Sequence, residues 1–100
     1  MPFFSIIIPT YNQGTFLSKC LKSVFQQSYK DFEVIVIDNH SNDSTKNVLK
    51  KLKKKIIWKK IYNKGVIAKS RNMGIKIARG KWLAFLDSDD TWNKDRLEII

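Results

Sequence analysis

The feature that most constrains this chain is an alternation of short β-branched runs with segments of helical periodicity. Residues 4–9 and 32–37 are predominantly apolar, as is typical of strands covered on both faces of a sheet. The segment between them predicts an amphipathic helix over about residues 15–27, because apolar side chains recur there at helical spacing, at Phe16, Leu17, Cys20, Leu21, Val24 and Phe25.

The same alternation continues along the rest of the chain. The further predicted elements are a helix around residues 48–52, an edge strand with paired lysines at residues 56–61, a helix over residues 68–78 that Gly80 ends, a strand at residues 82–86 and a helix from Asn93. Alternating strands and helices favour right-handed crossovers and a mostly parallel sheet. We therefore expect an α/β fold with three α/β/α layers.

Length and composition set further limits on the class of protein. The chain has 100 residues, a length typical of one domain, and its 43% hydrophobic content with 4 Gly and 2 Pro excludes a disordered or collagen-like chain. Cys20 is the single cysteine, so neither an internal disulfide nor a cysteine zinc site is expected. Membrane-spanning and signal-peptide patterns are absent, and we expect a cytoplasmic location.

The charge is unevenly distributed. The formal net charge is +10, and residues 44–86 contain 14 Lys and Arg but no acidic residue. Such a basic segment favours a polyanionic partner, which is nucleic acid, anionic lipid or a phosphorylated ligand. A solvated lysine-rich face is the alternative. The lysines of residues 50–55 are expected on the outer face of a helix, where a membrane contact at the cytosolic side is one interpretation.

Polar side chains follow three of the predicted strands. Because ligands of open parallel sheets bind beyond the carboxyl ends of the strands, we expect these residues to share one edge of the sheet. They are Pro9, Thr10, Tyr11 and Asn12 after the first strand, Asp38 and Asn39 after the second, and Asp87, Ser88, Asp89 and Asp90 after the fourth.

The acidic run is the strongest chemical signal of the three. Carboxylates this close repel one another, and a divalent cation relieves that repulsion. Oxygen ligands with a phosphate co-ligand suit Mg²⁺ or Mn²⁺, so the metal-binding candidates are Asp87, Asp89 and Asp90. The structural alternative is a turn followed by a helix cap at Asp90 and Thr91.

The other candidates also have a structural alternative each. Asp38 and Asn39 suit a ribose hydroxyl or a base edge, but they also suit a turn before a helix. Tyr11 can stack on a base or pack against the neighbouring loop, and Arg71 can bind phosphate or remain an exposed helix residue. The phosphate-loop, dinucleotide-binding and Ser/His/Asp motifs are absent from the sequence, which disfavours kinase-like, dehydrogenase and hydrolase functions.

Three stretches in this order resemble the family 2 inverting glycosyltransferases of GT-A fold. They are SIIIPTYN at residues 5–12, FEVIVIDNHSNDST at residues 32–45 and RNMGIKIARGKWLAFLDSDD at residues 71–90. The resemblance covers nearly the whole chain. It implies one partial, truncated domain over residues 1–100, similar to the nucleotide-diphospho-sugar transferases and comprising the half that binds the donor nucleotide.

The resemblance also implies roles for individual residues. Residues 9–12 match the stretch that lines the nucleotide pocket, Asp38 and Asn39 the pair that contacts base and ribose, and Arg71 an arginine near the nucleotide. Asp87-Ser88-Asp89 matches the DXD signature, whose carboxylates hold ribose and the divalent cation on the diphosphate. The implied donor is a nucleoside-diphosphate sugar, with a UDP-sugar favoured, and the implied acceptor is a glycan or a lipid-linked sugar.

Two departures from the family pattern shape the remaining expectations. The usual Asp-Asp pair with a Gly-Ser turn is replaced by Asp38-Asn39-His40-Ser41. The general base of the family is expected beyond residue 100, so this chain is expected to bind donor without turnover. One alternative is a non-catalytic nucleotide-binding or association module, with self-association through uncovered apolar surface. The other is a nucleic-acid binder, which we do not expect because no recognised nucleic-acid-binding motif is present.

Overall fold

The structure, a computed structural model, describes residues 2–39, 41 and 44–98. Strands and helices alternate along the chain as β1 (Phe4–Thr10), α1 (Gly14–Phe25), β2 (Phe32–Asp38), α2 (Thr45–Leu52), β3 (Ile57–Lys60), α3 (Ile67–Ile77) and β4 (Trp82–Phe85). Each predicted element up to residue 86 is found, with bounds shifted by a few residues at most. The predicted α/β class is therefore confirmed.

The four strands form one parallel sheet in the order β3-β2-β1-β4. β1 pairs with β2 from Phe4 opposite Phe32 to Thr10 opposite Asp38, and β4 joins the other side of β1 with Trp82 opposite Phe4. The chain thus moves outwards through β2 to β3 and then returns across the sheet to β4. The direction reverses between β1 and β4, where an open α/β sheet has a crevice at its carboxyl edge.

Helices cover both faces of the sheet. All seven residues of β1 are buried, and Ile6 and Ile8 pack in a core cluster with the buried α1 residues Leu17, Cys20, Leu21 and Val24. Ile7 points to the other face, where α3 lies close: a Cβ at Gly74 would be 2.5 Å from Ile7 Cγ2. Since α1 and α2 pack against one face and α3 against the other, the predicted three layers are confirmed.

The helix predicted from Asn93 is not found in the described residues. Residues 94–98 form turns with short-range bonds from Arg96 N to Asn93 O (3.1 Å) and from Glu98 N to Asp95 O (3.1 Å). The buried Gln27 side chain accepts from Leu97 N and donates to Asn93 O. A helix needs that N–H and that carbonyl for each other, so the long-range contact replaces its first turn.

Gly80 has a different role from the predicted helix stop. α3 ends at Ile77, and the φ of Gly80 is not in the left-handed region. Its N–H donates to Ser5 Oγ at 2.7 Å, and a Cβ there would lie 2.5 Å from the same oxygen. The glycine therefore allows close approach of two backbones. Trp82 on β4 is 56% exposed.

The lysine-rich segment lies away from the carboxyl edge of the sheet. β3 is an edge strand, as predicted, and its Lys59 and Lys60 are exposed. α2 leads from the carboxyl end of β2 to the start of β3, so the exposed lysines of residues 50–55 lie towards the opposite edge. Among the described residues, no helix has the length and apolar character needed to span a membrane.

Candidate functional site

The carboxyl ends of β1 and β2 bring two site candidates side by side. Thr10 and Asp38 are partners in the parallel register, and the backbone N–H of Asn39 donates to Thr10 O at 3.0 Å. Asn12 N donates to Ser41 Oγ at 2.9 Å, which connects the loops after the two strands. The ends of the first two strands therefore meet, as predicted.

Asp38 carries a buried carboxylate that is only half paired. The residue has no exposed surface, and its Oδ1 accepts from Ser41 N at 3.0 Å. Among the described residues, its Oδ2 and the Thr10 hydroxyl oxygen are buried and have no hydrogen-bond partner. An unpaired buried polar group costs free energy unless water or a ligand completes it. The pair is therefore suited to a bound hydrogen-bond donor.

Two adjoining cavities open at this end of the sheet, and Thr10 lines the smaller of them. One, of about 370 Å³, is lined by Tyr11, Asn39, Tyr62, Lys64 and Gly65. The other, of about 190 Å³, shares some of these residues and adds Pro9, Thr10, Asn63, Ile67 and Ser70. The side chain of Tyr11 is 57% exposed, so its ring is accessible to a flat ligand rather than covered by the loop.

Asn63 fixes the shape of this pocket, and the sequence analysis missed it. Its N–H donates to Asn39 Oδ1 at 2.9 Å, its Nδ2 donates to Ser70 Oγ at 3.0 Å and its Oδ1 accepts from Gly65 N at 2.9 Å. Gly65 has a φ of +81°, which is the left-handed region that glycine tolerates. The Asn-Lys-Gly triplet is a turn signal from which the local bond, but not the Asn39 contact, could be inferred.

The acidic run after β4 forms a compact group of carboxylates. Asp87, Asp89 and Asp90 are exposed, and one carboxylate oxygen from each lies within 4.8 Å of the others. Asp90 N donates to Asp87 O at 3.0 Å, so the turn that we considered as an alternative is present and brings the three side chains together. Clustered oxygen ligands on one open face fit a hard divalent cation.

Arg71 of α3 reaches the same group. One guanidinium nitrogen lies 3.4 Å from Asp87 Oδ1. The pair is partly exposed, with side-chain exposures of 41% and 55%, so it adds little stability. Both residues line a cavity of about 470 Å³ together with Asp90, Trp92 and Arg96. Arg71, which was predicted only as a phosphate ligand, therefore lies beside the acidic group.

Ser88, the one residue of the run without a carboxylate, points inwards. It is 2% exposed, and its hydroxyl donates to Gln13 Oε1. Cys20 lies beneath the same loop, with Sγ 3.7 Å from Asp87 O. Burial first, and then the charges of Asp90, Asp89 and Asp87, raise the pKa of the Cys20 thiol from 9.0 to about 12. Cys20 is therefore a neutral core residue, as predicted. His40 lies outside the described residues.

Comparison with known proteins gives a family match over nearly the whole chain. Residues 5–100 match the model of glycosyl transferase family 2. The chain is 41% identical over 101 residues to the poly(ribitol-phosphate) β-N-acetylglucosaminyltransferase TarP of Staphylococcus aureus, covering 96% of this chain and 31% of that protein. It is 42% identical over 94 residues to the Escherichia coli UDP-Glc:α-D-GlcNAc-diphosphoundecaprenol β-1,3-glucosyltransferase WfaP, covering 92% and 37%.

Solved structures with ligands resemble the fold closely. S. aureus TarS 1–349 in complex with UDP-GlcNAc has a TM-score of 0.86 and 36% identity, covering 97% of this chain and 29% of that one. The mannosyltransferase PcManGT of Pyrobaculum calidifontis, in complex with GDP-Man and Mn²⁺, has a TM-score of 0.82 and 25% identity, covering 96% and 30%. The chain spans about a third of the length of the two curated relatives TarP and WfaP, 31% and 37%.

Proposed function

Because the chain belongs to glycosyl transferase family 2, we propose that it binds the nucleotide of a nucleoside-diphosphate sugar for transfer of the sugar to an acceptor hydroxyl. In that transfer the acceptor oxygen bonds to the anomeric carbon while the bond to the diphosphate breaks. The configuration inverts, the nucleoside diphosphate leaves with the bond electrons, and the hydroxyl proton passes to a base.

One observation carries this proposal: Thr10, which lines an open cavity, and its strand partner Asp38 each have a buried side-chain oxygen, Oγ1 and Oδ2, without a partner among the described residues. Asp38 accepts hydrogen bonds only, so it requires a donor such as a ribose hydroxyl or a ring N–H. Tyr11 offers an exposed ring beside them for a base to stack on. A nucleoside carries both the donors and the flat ring that this arrangement requires.

The diphosphate is assigned to the acidic group and Arg71. The carboxylates of Asp87, Asp89 and Asp90 would hold Mg²⁺ or Mn²⁺, since their oxygens already lie within 4.8 Å of one another. When bound, such a cation neutralises the charge that develops on a diphosphate leaving group. Arg71 can bind a phosphate oxygen through its planar guanidinium, because its contact with Asp87 is long and partly exposed.

A UDP-sugar is the favoured donor, because WfaP is named for UDP-Glc and TarS binds UDP-GlcNAc. The proposed acceptors are a glycan or a lipid-linked sugar, the latter supported by the diphosphoundecaprenol substrate in the name of WfaP. A cytoplasmic location at the membrane surface accords with such an acceptor. The exposed lysines of residues 50–55 supply the positive surface for anionic lipid.

Calorimetry of the 100-residue chain with UDP tests the proposed function. We expect binding that strengthens at least about tenfold when Mn²⁺ is present, since each charge-assisted contact contributes roughly 1.5–3 kcal/mol. The double variant Asp87→Asn, Asp89→Asn should lose the effect of Mn²⁺ and retain the weaker binding of UDP alone. Asp31→Asn, an exposed aspartate outside the site, is the matched control.

Absence of heat with UDP, GDP and CDP, with and without Mn²⁺, would sink the nucleotide proposal. Binding of nucleotide with an unchanged affinity in the Asp87→Asn, Asp89→Asn variant would instead remove the acidic group from the proposed site. Sugar transfer itself is tested on any longer form of the chain by product analysis with UDP-sugars, where retention of anomeric configuration would contradict the inversion that we propose.

A further inference from the structure

A row of polar residues runs along one side of α1, which is otherwise packed in the core. Gln13 stands before the first turn, Cys20 and Ser23 lie within the helix, and Gln27 follows its end. Their separations of seven, three and four residues place them on one face of a helix. Each makes a hydrogen bond to the segment of residues 87–97 that follows β4.

Three of these contacts hold the loop of residues 87–90, which carries the acidic group, on the side that faces α1. The Ser88 hydroxyl donates to Gln13 Oε1, and the Cys20 thiol donates to Asp87 O over 3.7 Å. The backbone N–H of Trp92 donates to Ser23 Oγ at 3.1 Å, and that hydroxyl in turn donates to Cys20 O at 2.7 Å. The loop of residues 87–90 is therefore attached at Asp87 and at Ser88, and the chain just beyond the loop is attached at Trp92.

The remaining contacts hold the chain beyond this loop, at residues 93–97. Gln27 Nε2 donates to Asn93 O at 2.6 Å, and Leu97 N donates to Gln27 Oε1 at 3.1 Å. The Ser28 hydroxyl donates to Lys94 O at 3.0 Å. These bonds come from residues just beyond the carboxyl end of the same helix and do not touch the carboxylate-bearing residues. They therefore provide a matched comparison for the contacts that do.

We infer that Gln13 and Ser23 are positioning residues that keep the three carboxylates gathered for a divalent cation and diphosphate, an inference that rests on the proposed function. Three like charges with oxygens within 4.8 Å repel one another, so a loop free to rearrange would separate them. Bonds on its inner side oppose that rearrangement without occupying any carboxylate oxygen. Ser88 is the connecting residue because its buried side chain alternates with the exposed Asp87 and Asp89.

The test compares Gln13→Leu, which removes the acceptor at similar volume, with the control Ser28→Ala. In Gln13→Leu we expect the affinity for UDP with Mn²⁺ to fall about three- to tenfold, the range that loss of one buried hydrogen bond gives, with binding of UDP alone unchanged. Combining Gln13→Leu with Ser88→Ala should add little to either change, because both remove the same bond. Ser28→Ala should leave the affinity at the wild-type level.

Hydrogen exchange without ligand gives a second readout. Amides of residues 87–90 should exchange faster in Gln13→Leu and in Ser23→Ala, but at the wild-type rate in Ser28→Ala. Unchanged exchange at these residues, or additive losses of affinity from Gln13→Leu and Ser88→Ala, would overturn the inference while wild-type binding of Mn²⁺ and UDP persists. If the wild-type chain itself takes up no Mn²⁺ with UDP, the proposed function fails and the positioning role for a cation fails with it.

Discussion

At the scale of single residues, the structure separates groups that serve the fold from groups that are kept ready for a ligand. Ser88 and Asp89 are neighbours in sequence, yet the first is 2% exposed and hydrogen-bonded inside while the second is exposed. Asp38 differs from both, because its side chain is fully buried and yet its Oδ2 has no hydrogen-bond partner among the described residues. Stability alone would not retain such a group, since its desolvation is not compensated.

Asp38→Asn is therefore expected to separate stability from binding. The amide retains an oxygen for Ser41 N but carries no charge into the interior, so the free energy of unfolding should stay equal or rise by about 1 kcal/mol. The affinity for UDP should fall at least about tenfold, because hydrogen bonds to a charged acceptor contribute roughly 1.5–3 kcal/mol. Urea unfolding and calorimetry measure the two effects, with Thr10→Ser as a control that keeps its hydroxyl.

A large loss of stability in Asp38→Asn together with unchanged UDP affinity would mean that the carboxylate belongs to the fold and not to the site. The Thr10→Ser control would show in the same experiment whether small changes at this edge disturb the sheet.

The buried thiol of Cys20 makes stability depend on pH. The folded protein keeps its proton up to a pKa of about 12, whereas the ordinary thiol pKa is 9.0. The unfolded chain therefore loses the proton first as the pH rises. The stability that the buried neutral thiol contributes is complete below pH 9 and declines as the pH rises towards 12. Urea unfolding should show the wild type losing about 2 kcal/mol relative to Cys20→Ala between pH 8 and pH 10.5.

In the difference between wild type and Cys20→Ala, the pH dependence of stability that comes from all other ionisable groups cancels, because both proteins share those groups. The constant difference from the lost side-chain packing does not change with pH. Parallel stability curves for the two proteins from pH 8 to pH 10.5 would contradict the raised thiol pKa.

At the scale of the elements, the sequence predicted what depends on local pattern and missed what depends on distant partners. The four strands and the first three helices follow from apolar periodicity, which reports burial directly. The segment after Asn93 has helical spacing as well, but Gln27, 66 residues away, bonds to the groups of its first turn. No pattern within residues 93–100 carries that information.

The same distinction applies to the candidate site. The strand ends with polar residues were predictable because parallel strands bring their carboxyl ends to one edge. The contact between Asn63 and Asn39 and the bond between Ser88 and Gln13 were not, since each joins residues from different elements. Whether a polar side chain at a strand end faces the ligand or the interior is decided by such contacts.

The two edge strands of the sheet differ in how they are protected. β3 has exposed Lys59 and Lys60, and charges of this kind disfavour pairing with another strand. β4 has no charged residue, and its Trp82, Leu83 and Phe85 are 42 to 56% exposed. The unprotected apolar edge therefore lies next to β1, on the side of the candidate site.

We expect the 100-residue chain to self-associate through β4. Leu83→Lys should place a charge on that edge and shift sedimentation at micromolar concentrations towards monomer, by about tenfold in dissociation constant. The matched substitution on the opposite edge, Lys59→Leu, removes a protecting charge and should increase association. A wild-type chain that sediments as monomer at about 100 μM, or an equal profile for wild type and Leu83→Lys, would rule out this edge as the contact.

At the scale of the whole molecule, charge and chemistry are separated in space. The acidic group lies after β4 at one side of the sheet, whereas the lysines of residues 50–55 lie in the last turn of α2 and just after it, near the opposite side and the opposite edge. No described acidic residue forms an ion pair with these lysines, and residues 44–86 contain no Asp or Glu. Five of the 19 basic residues thus lie on a surface separate from the acidic group.

A separated basic surface predicts binding to anionic membranes that is independent of nucleotide binding. Replacing Lys50, Lys51, Lys53 and Lys54 by Gln should weaken partitioning onto phosphatidylglycerol vesicles about 100-fold or more, at roughly 1 kcal/mol for each lysine near the surface. Binding of UDP should not change. Raising the salt concentration to 0.5 M should abolish partitioning of the wild type, because the Debye length is then about half its value at 0.1 M.

The control variant carries the same loss of charge on other surfaces, with Gln in place of the exposed Lys19, Lys22, Lys76 and Lys94. It should partition at least about tenfold more tightly than the first variant, because only charges within a Debye length of the lipid contribute. Equal weakening in the two variants would mean that net charge, and not this surface, drives binding. Tighter salt-sensitive binding of single-stranded RNA than of vesicles, lost in the first variant alone, would reassign the surface to nucleic acid.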